Sequence, residues 1–253
     1  MADPLYRSIV FTARGLFKGL SLDIDVVGAE NIPLHGGALL AINHTSYLDF
    51  ALGGIPADIR GRRLVRFMAK DSIFHHKIAG PLMRGMKHIP VNREAGSQAF
   101  RDAVNALKAG EVVGVFPEAT MSRSLDIKEL KSGSIRMAKV AKVPVIPMII
   151  FGGHRILSYG VKDFSRGKQI CITVGAPLEF DPEMDADQSN ELLSATLKGL
   201  LAETIERYRD KPAGAAWIPA RFGGGAPTLA EAEIIEDQVR AAKQIKRDAD
   251  KKK

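Results

Sequence analysis

The sequence has little cysteine and few aromatic residues, and it lacks long apolar runs. Its single cysteine, Cys171, excludes an internal disulfide and suits a reducing compartment. No apolar run reaches the roughly 18 residues that a transmembrane helix needs, so we expect no membrane-spanning helix. The N-terminus has no hydrophobic region followed by a cleavage site, so we expect no signal peptide.

The charge is biased toward one sign: 36 Lys and Arg against 29 Asp and Glu give a net charge of +7. Part of this excess comes from the last three residues, Lys251 to Lys253. A basic chain suits three kinds of anionic partner: nucleic acid, a membrane surface or a phosphorylated substrate. Aromatic residues make up only 6% and do not alternate with Lys and Arg, as base-stacking platforms would, so we expect no nucleic-acid partner.

Short apolar runs alternate with segments of helical periodicity, which is typical of an α/β fold. At 253 residues we expect a single domain with a central mixed, mostly parallel sheet flanked by helices. The predicted strands cover residues 24–27, 38–42, 64–68, 88–93, 112–116, 143–151 and 169–174. The predicted helices cover residues 4–20, a short pair within 73–87, and 98–109, 133–142, 190–208 and 228–253.

We expect three segments: residues 1–22, a main domain over 23–211, and residues 212–253. The first segment contains an amphipathic helix with basic residues on its polar side, and two interpretations stay open. It either lies in a membrane interface or packs on its own domain. Residues 212–253 combine an irregular Gly-, Ala- and Pro-rich stretch with a charged helix, and we expect this segment to be peripheral.

The polar stretch from Asn43 to Asp49 follows directly after the buried strand at 38–42. Ligands of α/β proteins bind at this edge of the sheet, where strands end. Asn43, Thr45 or Ser46 could cap a following helix that carries His44 near its N-terminus and Asp49 about one turn on. Asp49 would then hold one imidazole nitrogen, and His44 could take a proton from a substrate hydroxyl. The alternative is a solvent-facing cap beside an unrelated histidine.

Other polar side chains follow other predicted strands, so one sheet edge could gather them all. Cations at such an edge suit an anionic group such as a phosphate, although any single one can also be an ordinary surface charge. We expect no metal site, because the adjacent His75 and His76 point apart on a helix. The candidate site residues are His44, Asp49, Lys70, Arg93, Glu118, Thr120, Arg123 and Lys131.

Four motifs, taken in order, resemble those of the glycerolipid acyltransferases, and within them the 1-acylglycerol-3-phosphate (lysophosphatidic acid) acyltransferases. They span roughly residues 43 to 147. Any one of them is weak, but four in order form a strong signal. The motifs are His44-x-x-x-x-Asp49 preceded by Asn43, the stretch from Gly85 to Arg93, Phe116-Pro117-Glu118-Ala119-Thr120, and Val143-Pro144-Val145-Ile146-Pro147.

The resemblance implies transfer of a fatty acyl group from an acyl thioester to a lipid hydroxyl, which makes phosphatidic acid. It implies that His44 deprotonates the hydroxyl, that Asp49 orients His44, and that Arg93 and Glu118 bind the glycerol phosphate with Lys70 and Thr120 nearby. It implies no cofactor beyond the co-substrate, which is acyl-coenzyme A or acyl-acyl carrier protein. It also implies a lysophosphatidic acid acceptor and a peripheral position on the cytoplasmic face of the cell membrane.

Two departures from the family pattern bear on the acceptor. The family usually has Gly at the position of Ala119 and Arg at the position of Met121. An alanine fits there unless the backbone needs a positive φ, and Arg123 could replace the missing arginine. Two alternatives therefore stay open: an acyltransferase for another lysophospholipid or a glycolipid, and a non-catalytic protein that binds anionic lipids.

Overall fold

The computed structural model describes residues 3–92, 96–181 and 183–250. A seven-stranded sheet forms the centre, in the order β1-β9-β6-β2-β5-β3-β4, and β7 and β8 pair as a separate hairpin. The strands are β1 (Asp23–Val27), β2 (Ala38–Ile42), β3 (Val65–Lys70), β4 (Ile89–Val91), β5 (Val112–Val115), β6 (Val145–Phe151), β7 (Leu157–Ser158), β8 (Val161–Lys162) and β9 (Gln169–Val174).

Helices cover both faces of this sheet. They are α1 (Pro4–Gly19), α2 (Asp49–Gly53), α3 (Ile55–Gly61), α4 (Asp71–Phe74), α5 (Ala79–Gly85), α6 (Gly96–Lys108), α7 (Gly133–Ala141), α8 (Ala186–Arg207) and α9 (Leu229–Asp250). None of the described helices is long and apolar enough to cross a membrane.

The sheet is mixed and mostly parallel, as predicted. β6 and β9 pair antiparallel, whereas β2, β5, β3 and β4 form a continuous parallel run. The carboxyl ends of these four strands therefore lie at one edge. Three of them lead directly to predicted site residues: β2 to His44, β3 to Lys70 and β5 to Glu118.

The strand β2 lies in the middle of the sheet and alternates its side chains between two cores. Leu39 and Ala41 pack with α6, α7 and α8 on one face. Leu40 and Ile42 pack on the other face, in the core that includes Phe17 of α1 and Leu52 of α2. All five residues of β2 are fully buried, which makes this strand a rigid base for the segment that follows it.

The first turn and the C-terminal end of helix α1 pack on the rest of the domain. The Tyr6 hydroxyl donates a hydrogen bond of 2.7 Å to the carbonyl oxygen of Val65, and Asp3 forms ion pairs with Arg66 and Lys87. Phe17 is buried near the C-terminal end. Both interpretations of the amphipathic pattern therefore keep support, because one side of α1 packs on the domain while the side with Phe11, which is 80% exposed, faces outward.

Three local features differ from the prediction. The helix α8 begins at Ala186 rather than at residue 190, because the Asp185 carboxylate accepts the N–H of Gln188 and caps the helix. The short helix α3 and the hairpin β7–β8 were not predicted, since their runs are too short to show a periodicity.

The segment 212–227 is mainly irregular, as predicted.

Candidate active site

His44 and Asp49 form a hydrogen-bonded pair at the end of β2. His44 Nδ1 lies 2.9 Å from Asp49 Oδ2, so the spacing of five residues does bring the two side chains together. The predicted helical context of His44 is wrong, however, because α2 begins at Asp49 and His44 lies in the preceding loop. A carboxylate only accepts hydrogen bonds, so Nδ1 carries the hydrogen and Nε2 keeps its lone pair.

The Asp49 carboxylate explains why residues 44–48 form a loop rather than a helix. Besides His44, the same oxygen accepts the backbone N–H groups of Thr45 and Ser46, each at 2.8 Å. Asp49 is fully buried, and burial raises its pKa, against the hydrogen bonds from His44, Ser46 and Thr45, which lower it. One buried side chain thus fixes both the loop and the orientation of the imidazole.

Asn43 ties the start of this loop to the neighbouring strand β6. Its side-chain amide donates to the carbonyl oxygen of Ile150 at 3.1 Å and accepts the N–H of Ile150 at 2.7 Å. Its own N–H donates to the carbonyl oxygen of Met148. Asn43 therefore continues the sheet pairing through a side chain while the backbone turns away.

Aromatic rings set the position of the imidazole. The His44 ring stacks on Phe116 with centroids 4.2 Å apart and interplanar angle 22°, and Phe50 meets it edge-on at 6.3 Å. Phe116 begins the loop after β5, so the motif Phe116-Pro117-Glu118-Ala119-Thr120 contributes a packing surface for His44. Phe116 was not predicted as a site residue, because a phenylalanine at the end of a strand is usually part of the hydrophobic core.

Glu118 is buried, and its carboxylate contacts backbone N–H groups and does not line the cavity. Its Oε1 accepts the N–H of His44 at 2.9 Å, and its Oε2 accepts the N–H of Lys128 at 3.1 Å. Burial raises the pKa of Glu118 to about 7, although these two N–H groups favour the charged form. Glu118, which we predicted to contact the substrate, thus uses both carboxylate oxygens inside the protein.

A second contact holds the other side of the His44 backbone. The N–H of Ser122 donates to the carbonyl oxygen of His44 at 2.7 Å. We call residues 116–130, between β5 and α7, the catalytic loop, because through Glu118 and Ser122 it binds both backbone polar groups of His44. Sequence reasoning missed this role of Ser122, since a backbone donor leaves no sequence signal.

His44 opens onto a cavity of about 730 Å³ with a mainly apolar lining. Its walls come from α1, from α2 and α3, from the segment of α4 and α5, and from the start of the catalytic loop. Apolar side chains of α1 that line it are Ile9, Val10, Ala13 and Phe17. A cavity of this volume and polarity is suited to an alkyl chain.

The candidate residues fall into two groups around this cavity. Lys70 and Lys131 line it together with His44, and both are exposed. The Thr120 hydroxyl instead accepts a hydrogen bond of 2.6 Å from Lys128 Nζ, and the Arg123 guanidinium lies 3.9 Å above the Tyr159 ring. Neither of these two residues lines the cavity.

Arg93 lies outside the described residues. The strand β4 that precedes it ends at Val91, which pairs with Lys70 of β3. No group of three or more His, Cys, Asp or Glu side chains that could hold a metal ion occurs within residues 3–92, 96–181 and 183–250.

The two departures from the family pattern lie in the catalytic loop and have different settings. Ala119 has φ of +61°, the left-handed conformation that favours glycine, so the alanine is strained there. Met121 is buried, with 4% of its surface exposed, and leaves no cation at that position. The ammonium group of Lys128 does contact this turn. It donates to the Thr120 hydroxyl and lies 3.4 Å from the carbonyl oxygen of Met121.

Comparison with known proteins identifies the family of the chain. Residues 23–151 match the family model described as Acyltransferase. The 1-acyl-sn-glycerol-3-phosphate acyltransferase of Bacillus subtilis is 32% identical over 174 residues, which cover 66% of this chain and 81% of that protein. The enzyme of the same name from Borreliella burgdorferi is 28% identical over 198 residues, or 74% of each chain.

A solved structure supports the fold. The crystal structure of the 1-acyl-sn-glycerophosphate (LPA) acyltransferase PlsC from Thermotoga maritima superposes with a TM-score of 0.66, at 24% identity, over 81% of each chain. The family match covers the sheet edge with His44, Asp49 and Glu118. This chain belongs to the acyltransferase family.

Proposed function

We propose that this protein transfers a fatty acyl group from an acyl thioester to the free hydroxyl of a 1-acylglycerol 3-phosphate and so makes phosphatidic acid. The observation that carries the proposal is the His44–Asp49 pair at an apolar cavity whose polar lining includes Lys70 and Lys131. The cavity suits the alkyl chains of the lipid substrates, and the two lysines suit a phosphate. The relatives named above carry the same activity in their names.

The proposed reaction needs one base and one orienting acid. His44 Nε2 accepts the proton of the acceptor hydroxyl while Asp49 holds Nδ1 and stabilises the imidazolium that forms. The hydroxyl oxygen attacks the thioester carbonyl carbon directly. The tetrahedral intermediate then expels the thiolate, which takes the proton back from His44, so the ester forms without an acyl-enzyme.

The donor is the thioester of coenzyme A or of acyl carrier protein, and no cofactor takes part beyond that co-substrate. Lys70 and Lys131 bind the acceptor phosphate in this proposal, with Arg93 as a third cation from the end of β4. The assignments of Thr120 and Arg123 to substrate have less support, because Lys128 and Tyr159 are their neighbours.

Those two neighbours also favour a second candidate within the same reaction. If Thr120, Arg123 and position 121 do not contribute to phosphate binding, an acceptor with another headgroup becomes the alternative, such as a different lysophospholipid or a glycolipid. The reaction and the role of His44 are the same in both candidates. Only the acceptor differs.

The test is thiol release from oleoyl-coenzyme A with 1-oleoyl lysophosphatidic acid as acceptor. His44→Ala is expected to lower the acceptor-dependent rate by about two to four orders of magnitude. His35→Ala is the matched control, because His35 is exposed in the loop before β2. Release that is absent with lysophosphatidic acid and present with another lysolipid would replace the acceptor. No release with any donor and acceptor would overturn the reaction.

We also infer that the protein binds the membrane surface peripherally, on the cytoplasmic face where acyl thioesters are found, through α1 and the α4–α5 segment. Leu5 of α1 packs directly on Gly85 of α5, so the two segments are neighbours. Basic residues accompany them at Arg7, Lys18 and Lys77. The exposed apolar side chains on this surface are Leu5, Phe11, Leu16, Ile73, Ile78 and Leu82.

Sedimentation with phosphatidylglycerol vesicles tests this surface. Phe11→Glu is expected to weaken vesicle binding, because it places a charge where an apolar side chain would enter the interface. Val140→Glu is the matched control, since Val140 is 50% exposed on α7, which packs on the opposite face of the sheet from α1. Equal binding by both variants would contradict the assignment of α1.

A further inference from the structure

The segment 212–250 contacts the catalytic loop through two ion pairs. Arg221 Nε lies 2.5 Å from Asp126 Oδ2, and Glu236 Oε1 of α9 lies 3.1 Å from Lys128 Nζ. Arg221 and Glu236 both lie beyond residue 151, where the match to the family model ends. Asp126 and Lys128 lie inside the matched region, so the contacts connect it to the segment that follows.

The two ion pairs have their charges arranged in opposite order, with the acid on the loop in one pair and the base on the loop in the other. The catalytic loop presents an acid at 126 and a base at 128, and the C-terminal segment presents a base at 221 and an acid at 236. A slip that brought Glu236 to Asp126, or Arg221 to Lys128, would place like charges together. The loop therefore has one favoured position against the C-terminal segment.

These pairs are partly buried. The side chains of Lys128 and Glu236 are 17% and 22% exposed, and in the other pair that of Asp126 is 10% exposed and that of Arg221 is 39% exposed. Water screens partly buried pairs less than exposed ones, so the contacts hold the loop more firmly than a fully exposed pair would.

Lys128 connects this contact to the catalytic histidine. Its backbone N–H donates to Glu118 Oε2, and Glu118 Oε1 accepts the N–H of His44. Its ammonium group also donates to the Thr120 hydroxyl, two residues from Glu118. Glu236 thus reaches the backbone of His44 through Lys128 and Glu118.

We propose that residues 212–250 act as a clamp on the catalytic loop, and that Arg221 and Glu236 are positioning residues for His44. Neither residue lines the cavity onto which His44 opens. The clamp holds the loop that binds the N–H and the carbonyl oxygen of His44. Loss of the clamp lowers turnover and leaves substrate binding unchanged.

The experiment compares Glu236→Gln with Glu233→Gln in the full chain. Both substitutions remove one negative charge from α9, but Glu233 is exposed and forms no ion pair within the described residues. We expect Glu236→Gln to lower kcat about tenfold, since small displacements of a catalytic group are costly, and to leave both KM values within about twofold. Glu236→Asp keeps the negative charge opposite Lys128 and leaves the other contacts of Lys128 in place, so it is expected to retain most of kcat.

A second measurement needs no substrate and so stands apart from the proposed reaction. Hydrogen exchange of peptides that cover residues 117–130 is expected to be faster in Glu236→Gln than in Glu233→Gln. Equal exchange and equal kcat in the two variants would overturn the clamp. A raised KM with unchanged kcat would also overturn it, because that result assigns Glu236 to binding.

Discussion

Glu118 Oε1 accepts the backbone N–H of His44 across 2.9 Å, although 74 residues separate the two in sequence. The resemblance to known acyltransferases implies that this glutamate binds the acceptor phosphate. Its burial and its two backbone partners favour a different role, in which the carboxylate holds the loop of the catalytic base. The two roles predict different kinetics.

Glu118→Gln is expected to lower kcat by about 10²-fold, because an amide keeps one acceptor oxygen and turns an N–H₂ donor toward the second backbone N–H. The KM for the acceptor should stay within about twofold. Steady-state thiol release measures both, with Glu203→Gln on the exposed side of α8 as control. A tenfold rise in the acceptor KM with unchanged kcat would instead assign Glu118 to the phosphate.

Asp49→Asn tests the orientation of the imidazole. The asparagine nearly preserves the shape of the side chain but removes the charge that favours imidazolium. Its amide can present a donor as well as an acceptor to Nδ1, so it no longer selects the Nδ1–H form of His44. By analogy with other oriented histidine bases we expect kcat to fall by about 10⁴-fold. The exposed Asp237→Asn is the control, and the melting temperature verifies that the variant folds. Activity within tenfold of wild type would show that Asp49 is not needed to orient His44.

Lys70→Met and Lys131→Met test the phosphate site. A hydrogen bond to a charged group contributes about 1.5–3 kcal/mol, so each substitution should raise the KM for lysophosphatidic acid roughly ten- to hundredfold. The effect of Lys131 should be the smaller, because its ammonium group already pairs with Glu129 at 2.8 Å. The exposed Lys162→Met serves as control.

An acceptor without phosphate sharpens this prediction. With a monoacylglycerol as acceptor, both lysine variants should match wild type, since no anionic group is present for the ammonium groups to bind. An equal loss with both acceptors would mean that the lysines support the cavity rather than the phosphate.

Much of the fold follows from periodicity. The strand β2 is an unbroken apolar run, β5 and β9 are mainly apolar, and the helix α6 repeats its apolar residues at helical spacing, so their types and approximate bounds could be predicted. The pairing of His44 with Asp49 could also be predicted, because it depends on a local spacing. The helix assignment around His44 failed, because the Asp49 carboxylate competes for the N–H groups that would start a helix.

The partners of the catalytic loop could not be predicted. Glu118 meets His44 across 74 residues, and Lys128 meets Glu236 across 108 residues. Such contacts depend on how the chain folds back and have no local period. A charged residue in a loop is most often solvated, so nothing in the sequence separates Lys128 from its exposed neighbour Glu129.

Ala119→Gly is expected to stabilise the protein. The left-handed φ of +61° costs an alanine about 1–2 kcal/mol, whereas glycine loses about 0.4–1 kcal/mol through the greater entropy of the unfolded chain. The strain term is the larger, so we expect a net gain of about 0.5–1 kcal/mol in the free energy of unfolding. Urea denaturation measures it. Ala195→Gly, in the exposed middle of α8, should instead destabilise by about 1 kcal/mol.

His154 should make stability depend on pH. Burial lowers the pKa of this histidine from 6.5 to about 4, so it is neutral in the folded protein at pH values where the unfolded chain binds a proton. Its contribution to stability is therefore complete above pH 6.5 and is lost as the pH falls toward 4. The loss amounts to roughly 3 kcal/mol at most.

The raised pKa values of Asp49 and Glu118 act in the opposite direction, so the informative quantity is the difference in slope between variants. His154→Gln removes the titration and keeps an N–H donor for the carbonyl oxygen of Trp217, which His154 Nε2 meets at 2.9 Å. Between pH 6.5 and 4.5, the free energy of unfolding should rise with pH less steeply than in wild type, by about 1 kcal/mol per pH unit. Urea denaturation across this range measures the slope. His35→Gln, at an exposed position, should keep the wild-type slope, and an equally unchanged slope in His154→Gln would mean that His154 titrates alike in the folded and unfolded protein.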